Sequence, residues 1–189
     1  MPRLFTALEV PADIGAHLSI LRGGLPGARW VEPENYHVTL RFIGDVDDRT
    51  ASDAADLLAG IAREPLRISV GGLDAFGGDR PRSIFARVEP GADLMELQAD
   101  QERALRRAGL APEGRKYTPH ITLARLRDVK PREVADWLAT RGGGPKLEFE
   151  ARRFVLLSSR PGSGGGPYVV EEAYPLGHYE EDEHAEAHG

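Results

Sequence analysis

A histidine and a threonine two residues apart occur twice in the chain. His37-Val38-Thr39-Leu40 is followed 83 residues later by His120-Ile121-Thr122-Leu123. With six His and six Thr in 189 residues, composition produces two copies of His-x-Thr-apolar with a probability on the order of 0.003. In an extended chain residues i and i+2 face the same way, so each copy offers an imidazole and a hydroxyl about 7 Å apart on one surface. Val38 and Leu40, like Ile121 and Leu123, anchor the opposite face. If the copies meet about a pseudo-two-fold axis, four polar groups converge on one cleft. A neutral imidazole accepts a proton and a protonated one donates it. Two hydroxyls can hold the anionic oxygens of a tetrahedral centre, and a phosphodiester is the centre that fits. Either histidine could be the acid and either the base.

Arginines accompany both copies. Strand parity places Arg41 on the face of His37 and Thr39, which makes it a candidate phosphate ligand. Arg125, five residues after His120, falls on the opposite face unless a bulge or the strand end reorients it. The other histidines carry less: His17 lies on the polar side of a helix and His178 at a tail junction, both read as surface residues.

Strands must present the two copies and helices must back them. Residues 3–10 alternate, with Leu4, Thr6 and Leu8 against Phe5, Ala7 and Glu9, and predict a strand. Pro11 opens a helix with Ile14, Leu18 and Leu21 on one face, broken by Gly23, Gly24 and Pro26. A strand over 37–43 follows, then a helix capped by Asp47 or Asp48 with Ala54, Leu57, Leu58 and Ile61 on its apolar face. Strands over 66–70 and 83–88 flank a Gly/Pro-rich turn, and a helix over 93–108 stops at Gly109. A strand over 117–126 leads to a helix from Pro131 to the glycines at 142–144. Strands over 146–150, 153–158 and 168–174 close the chain, with a mobile hairpin loop at 162–167. The order implies an α+β fold with antiparallel sheets. The recurrence of the motif implies duplication at the level of the half-domain.

The chain has no cysteine, which excludes a disulfide framework, a thiolate metal site and a cysteine nucleophile. Its apolar runs fall short of membrane-spanning length, and its first residues alternate rather than form a signal peptide. A cytoplasmic protein without membrane attachment is expected. The formal charge is −6, yet residues 180–189 hold five carboxylates and no Lys or Arg. Without them, 25 acidic residues face 24 basic ones, so the total does not exclude a nucleic-acid ligand. This tail reads as disordered, with His184 and His188 solvated rather than metal-bound. Of the basic residues 21 are Arg, which suits bidentate phosphate contact, although a coding bias gives the same composition.

The chain resembles the two-histidine (2H) phosphoesterase superfamily, and within it the RNA 2′,3′-cyclic phosphodiesterases, also named 2′-5′ RNA ligases. The likeness runs from Arg3-Leu4-Phe5 through Trp30-Val31, Pro33-Glu34-Asn35 and His37-Val38-Thr39-Leu40-Arg41-Phe42-Ile43-Gly44. It continues through Pro119-His120-Ile121-Thr122-Leu123-Ala124-Arg125 to Leu156-Leu157-Ser158-Ser159-Arg160. It implies one domain over 1–179, a bilobal duplicated α+β fold with two antiparallel sheets lining a central cleft and helices outside. It also implies metal-independent, cofactor-free opening of RNA 2′,3′-cyclic phosphate ends, tRNA fragments among them, to 2′-phosphomonoesters, with 2′-5′ ligation as the reverse. By the same resemblance His120 is the base, His37 the acid, Thr39 and Thr122 hold non-bridging oxygens, and Arg125 binds the phosphate. For such a ligand, Tyr36, Phe42 and Tyr117 are candidate base-stacking rings. A monomer without an obligate protein partner is expected. A small-nucleotide cyclic phosphodiesterase uses the same four groups, and an RNA-end-binding module with a dormant site is the non-enzymatic alternative. Binding alone does not need two imidazoles.

Overall fold

A computed structural model describes residues 3–144, 146–160 and 166–177. The tail, His178, His184 and His188 lie outside the described residues, as does the 162–167 loop apart from Gly166 and Pro167.

Strand β1 (Arg3–Glu9) is buried on both faces between β3 (His37–Gly44) and β8 (Arg153–Ser159), and β9 (Val169–Pro175) lies outside β8. In the second sheet β6 (His120–Leu126) pairs with β5 (Ser83–Val88), then come β4 (Leu66–Phe76) and β7 (Lys146–Ala151). All the pairings are antiparallel. The two sheets expected from the resemblance join edge to edge into one nine-stranded sheet where β3 and β6 run side by side, through a single residue pair, Val38 opposite Ile121. That pair is the pivot of the bilobal arrangement. The lobes are not successive pieces of chain: the C-terminal β8 and β9 complete the sheet that begins with β1.

The helices form near where caps and apolar spacing predict them, but the first ends at Ser19, short of Leu21, and the second at Leu58, short of Ile61. Asp47 caps α2 (Asp48–Leu58), its Oδ1 accepting from the Thr50 amide at 2.7 Å. Helix α3 (Ala92–Arg107) packs on β3 and β4 and buries Leu94, Leu97, Gln101, Ala104 and Leu105. Pro131 starts α4 (Pro131–Thr140), and α1 (Ala12–Ser19) follows Pro11. Val38, Leu40, Ile121 and Leu123 are each no more than 2% exposed. At about 1.5–3 kcal/mol per fully buried aliphatic side chain, they fix the register of both motif strands.

Other features also depart from the sequence reading. A short strand β2 (Ala28–Trp30) pairs with β6 and leads into a 3-10 turn (Pro33–Asn35). Tyr117 precedes its strand, which begins at His120. Strand β4 runs on to Phe76, because Gly71 and Gly72 form an irregularity in the ladder rather than ending it. Gly72 has φ +88, a conformation glycine adopts without steric cost.

Candidate active site

With Val38 opposite Ile121, antiparallel geometry sets His37 across from Thr122 and Thr39 across from His120. All four side chains line one cleft of about 680 Å³. Each imidazole is held by the same device. His37 Nδ1 lies 2.9 Å from the Asn35 carbonyl oxygen, and His120 Nδ1 lies 2.7 Å from that of Thr118. A carbonyl only accepts, so Nδ1 carries the hydrogen and Nε2 is left for proton exchange. His37 Nε2 lies 3.0 Å from Thr39 Oγ1.

Aromatic rings wall both histidines. Phe5 and Tyr168 each lie 5.1 Å from the His37 ring, while Phe76 and Phe85 lie 4.9 and 5.2 Å from His120. Phe5 belongs to a small cluster with Ala7, Val155 and Leu157 beneath the cleft. Burial pushes both imidazoles below their ordinary value, while the carbonyls of Asn35 and Thr118 act in the opposite sense. His37 is lowered further by the positive charges of His120 and Arg125. None of these four aromatic walls was a site candidate from sequence. The only signal was apolar alternation, which core residues share.

Both motif strands carry a bulge at the same place. Thr6 pairs with Arg41 and Ala7 with Thr39, leaving Leu40 as the extra residue; Ile84 pairs with Ala124 and Phe85 with Thr122, leaving Leu123. An extra residue reverses the alternation beyond it. Arg125 is therefore turned to the cleft, where it is exposed. Its counterpart in the first copy is Phe42, which lines the cleft and is 50% exposed.

The same bulge corrects the reading of Arg41. It is 7% exposed, and its Nε, Nη1 and Nη2 each donate at 2.6 Å, to Glu102, the Phe42 carbonyl and the Ala111 carbonyl. Arg41 borders the cleft, but each of its three nitrogens is engaged by the fold, which makes it a clamp rather than an open phosphate ligand. Tyr36 is also corrected: it is 3% exposed in the main core and does not line the cleft, so no base can stack on it. Tyr117 borders the cleft, but its hydroxyl donates to the Thr39 carbonyl at 2.7 Å, and burial raises its pKa. Phe42 is the stacking candidate that keeps an exposed ring. Among the described residues no group of three His, Asp or Glu side chains could hold a metal ion.

The chain is similar to known proteins of one family. The LigT-like phosphoesterase family model matches the chain twice, over residues 8–85 and 86–168, one match for each motif. A protein of Aeropyrum pernix named RNA 2′,3′-cyclic phosphodiesterase is 41% identical over 59% of this chain and 64% of its own length. One of the same name from Aquifex aeolicus is 32% identical over 79% of this chain and 82% of its own. The crystal structure of E. coli LigT complexed with 3′-AMP superposes with a TM-score of 0.75 at 23% identity, over 93% of this chain and 99% of that one, which shows the shared fold. By its two family matches and the two His-x-Thr strands they contain, the chain belongs to the LigT-like phosphoesterases, within the two-histidine superfamily.

Proposed function

We propose that this protein hydrolyses the 2′,3′-cyclic phosphate at an RNA end to a 2′-phosphomonoester. The observation that carries the reading is the pair of imidazoles on adjacent strands of one cleft, each with Nδ1 tied to a carbonyl so that Nε2 is the nitrogen that exchanges a proton. The names of the A. pernix and A. aeolicus relatives favour the same substrate.

His120 Nε2 takes a proton from water as the oxygen attacks phosphorus. The bond from phosphorus to O3′ breaks, and protonated His37 gives its Nε2 proton to the leaving O3′. The hydroxyls of Thr39 and Thr122 donate to the non-bridging oxygens, and Arg125 offsets the added negative charge. The resting site already favours a neutral base, because burial lowers His120. An incoming phosphodiester anion works against the lowering of His37 and helps it hold its proton. With a 5′-hydroxyl in place of water, the same bond to O3′ breaks and a 2′-5′ bond forms.

The test is an oligonucleotide ending in a 2′,3′-cyclic phosphate, with 2′- and 3′-phosphate products resolved. A 2′-phosphate is expected. His37→Ala and His120→Ala should each lower the rate about 10²–10⁴-fold with unchanged circular dichroism. A 3′-phosphate as sole product, or wild-type rates in either variant, refutes the assignment.

A further inference from the structure

The cleft extends beyond the four motif groups, and its charge has a direction. Arg82, Arg115, Lys116 and Arg125 line it as exposed cations, and among the described residues none forms an ion pair with a carboxylate. Glu113 is the one carboxylate among the lining residues. The cations fall at two ends of β6. Arg125 and Arg82 lie together at its C-terminal end, where Ser83 pairs with Arg125. Arg115 and Lys116 precede the strand, at the His120 end. Because β3 runs antiparallel to β6 with Val38 opposite Ile121, Phe42 lies at that same end.

The segment between α3 and β6 has no regular secondary structure, yet it is pinned three times. Arg41 Nη2 donates to the Ala111 carbonyl at 2.6 Å, and the Glu113 amide donates to Glu102 Oε1 at 3.0 Å. Farther along, the Tyr117 hydroxyl donates to the Thr39 carbonyl at 2.7 Å. The first two pins share the buried Arg41–Glu102 ion pair. Between the second and third pins, Arg115 and Lys116 stand exposed at the cleft. Two exposed cations on a pinned strap line the same cleft as an exposed aromatic ring. Base stacking and phosphate neutralisation together are what a single-stranded nucleic acid needs. Lys116 is four residues before His120, at most roughly 14 Å of extended chain, which is within reach of the nucleotide adjoining the reacting end.

We propose that Phe42, Arg115 and Lys116 form a second nucleotide subsite, in which the two cations bind the phosphodiester on the 5′ side of the terminal nucleotide. The inference rests on the RNA-end reading and deepens it: the enzyme acts on a chain in preference to a cyclic mononucleotide, and the chain leaves the cleft past the strap. Arg41 and Glu102 are positioning residues for that subsite.

The test compares kcat/KM for 2′,3′-cyclic AMP with that for a tetra-adenylate ending in a 2′,3′-cyclic phosphate. Changing Arg115 and Lys116 together to alanine should lower the preference for the tetranucleotide about tenfold or more, and the exchange Arg115→Lys with Lys116→Arg should restore most of it. Binding of a tetranucleotide ending in a 2′-phosphate, followed by fluorescence anisotropy, gives a readout without turnover. Each lost contact to a single strand reduces the slope of log affinity against log salt by about 0.7. Both cations act on one phosphodiester, so the double alanine variant should lose about 0.7 from the slope. Wild-type affinity should correspondingly fall about 2.6-fold more than the variant's between 50 and 200 mM salt. An unchanged slope and preference, or a loss carried by Arg82→Ala instead, overturns the subsite. If the wild type turns over neither substrate, the RNA-end reading fails, and the binding slopes still decide the subsite.

Discussion

Replacing Arg41 by methionine separates two roles that the sequence leaves indistinguishable, phosphate ligand and structural clamp. The substitution keeps the aliphatic stem but removes donors to Glu102, the Phe42 carbonyl and the Ala111 carbonyl. The side chains of Arg41 and Glu102 are 7% and 15% exposed, so the pair lies largely out of water. Breaking a buried ion pair from one side costs about 3–5 kcal/mol. Glu102 retains the Arg106 guanidinium at 3.2 Å and the Glu113 amide at 3.0 Å, which favours the low end of that range. For a chain of this size about 3 kcal/mol lowers Tm by roughly 6–12 °C. Arg125→Met supplies the contrast. Arg125 is exposed and, among the described residues, has no carboxylate partner, so its loss should move Tm by no more than roughly 2 °C. A charge-assisted hydrogen bond to phosphate is worth about 1.5–3 kcal/mol, so kcat/KM should fall about 10–150-fold. Calorimetry and cyclic-phosphate hydrolysis on both variants decide the matter. A shift below 2 °C for Arg41→Met, together with an activity loss like that of Arg125→Met, would place Arg41 on the phosphate and refute the clamp.

The remaining predictions concern protons, the strap and metal. Burial lowers both imidazoles, so the form with one protonated and one neutral ring gains population as pH falls toward 6.5 and below. A kcat/KM profile should peak on the acid side of 6.5 and fall about tenfold per pH unit on its alkaline limb; an optimum above pH 7.5 contradicts the burial argument. The Glu102 carboxyl is raised by burial but drawn below its ordinary 4.5 overall, by Arg41 first and the Glu113 amide next. A depressed carboxyl stabilises the fold above its unfolded pKa and loses that contribution as pH falls, so acid should destabilise the wild type more than Arg41→Met in urea titrations below about pH 4.5. Tyr117→Phe removes one hydrogen bond worth about 0.5–1.5 kcal/mol and should lower Tm by roughly 1–6 °C in a thermal melt. Hydrolysis should persist in excess chelator, and loss restored by a divalent ion would overturn the two-imidazole mechanism.

The motif repeat was legible in the sequence because a strand's period of two is local: His37 and Thr39 share a face whatever lies beyond them. The helices were legible for a similar reason, as Asp47, Pro131 and Gly109 act on their own turns. Parity failed one residue past each motif. A bulge depends on how two strands align, and neither Leu40 nor Leu123 signals by itself that its partner strand is one residue shorter there. That long-range event left Arg125 exposed at the cleft and Arg41 buried at its border with its nitrogens bonded to the fold, and gave Phe42 the place that Arg125 occupies in the second copy. The aromatic walls of the histidines were hidden for a related reason: Phe5, Phe76, Phe85 and Tyr168 come from four separate segments and alternate like core residues. Sequence by itself determined which groups could exchange protons and on which strands they lie. Only the tertiary structure decided which charges face them, because facing is set by register between strands distant in the chain.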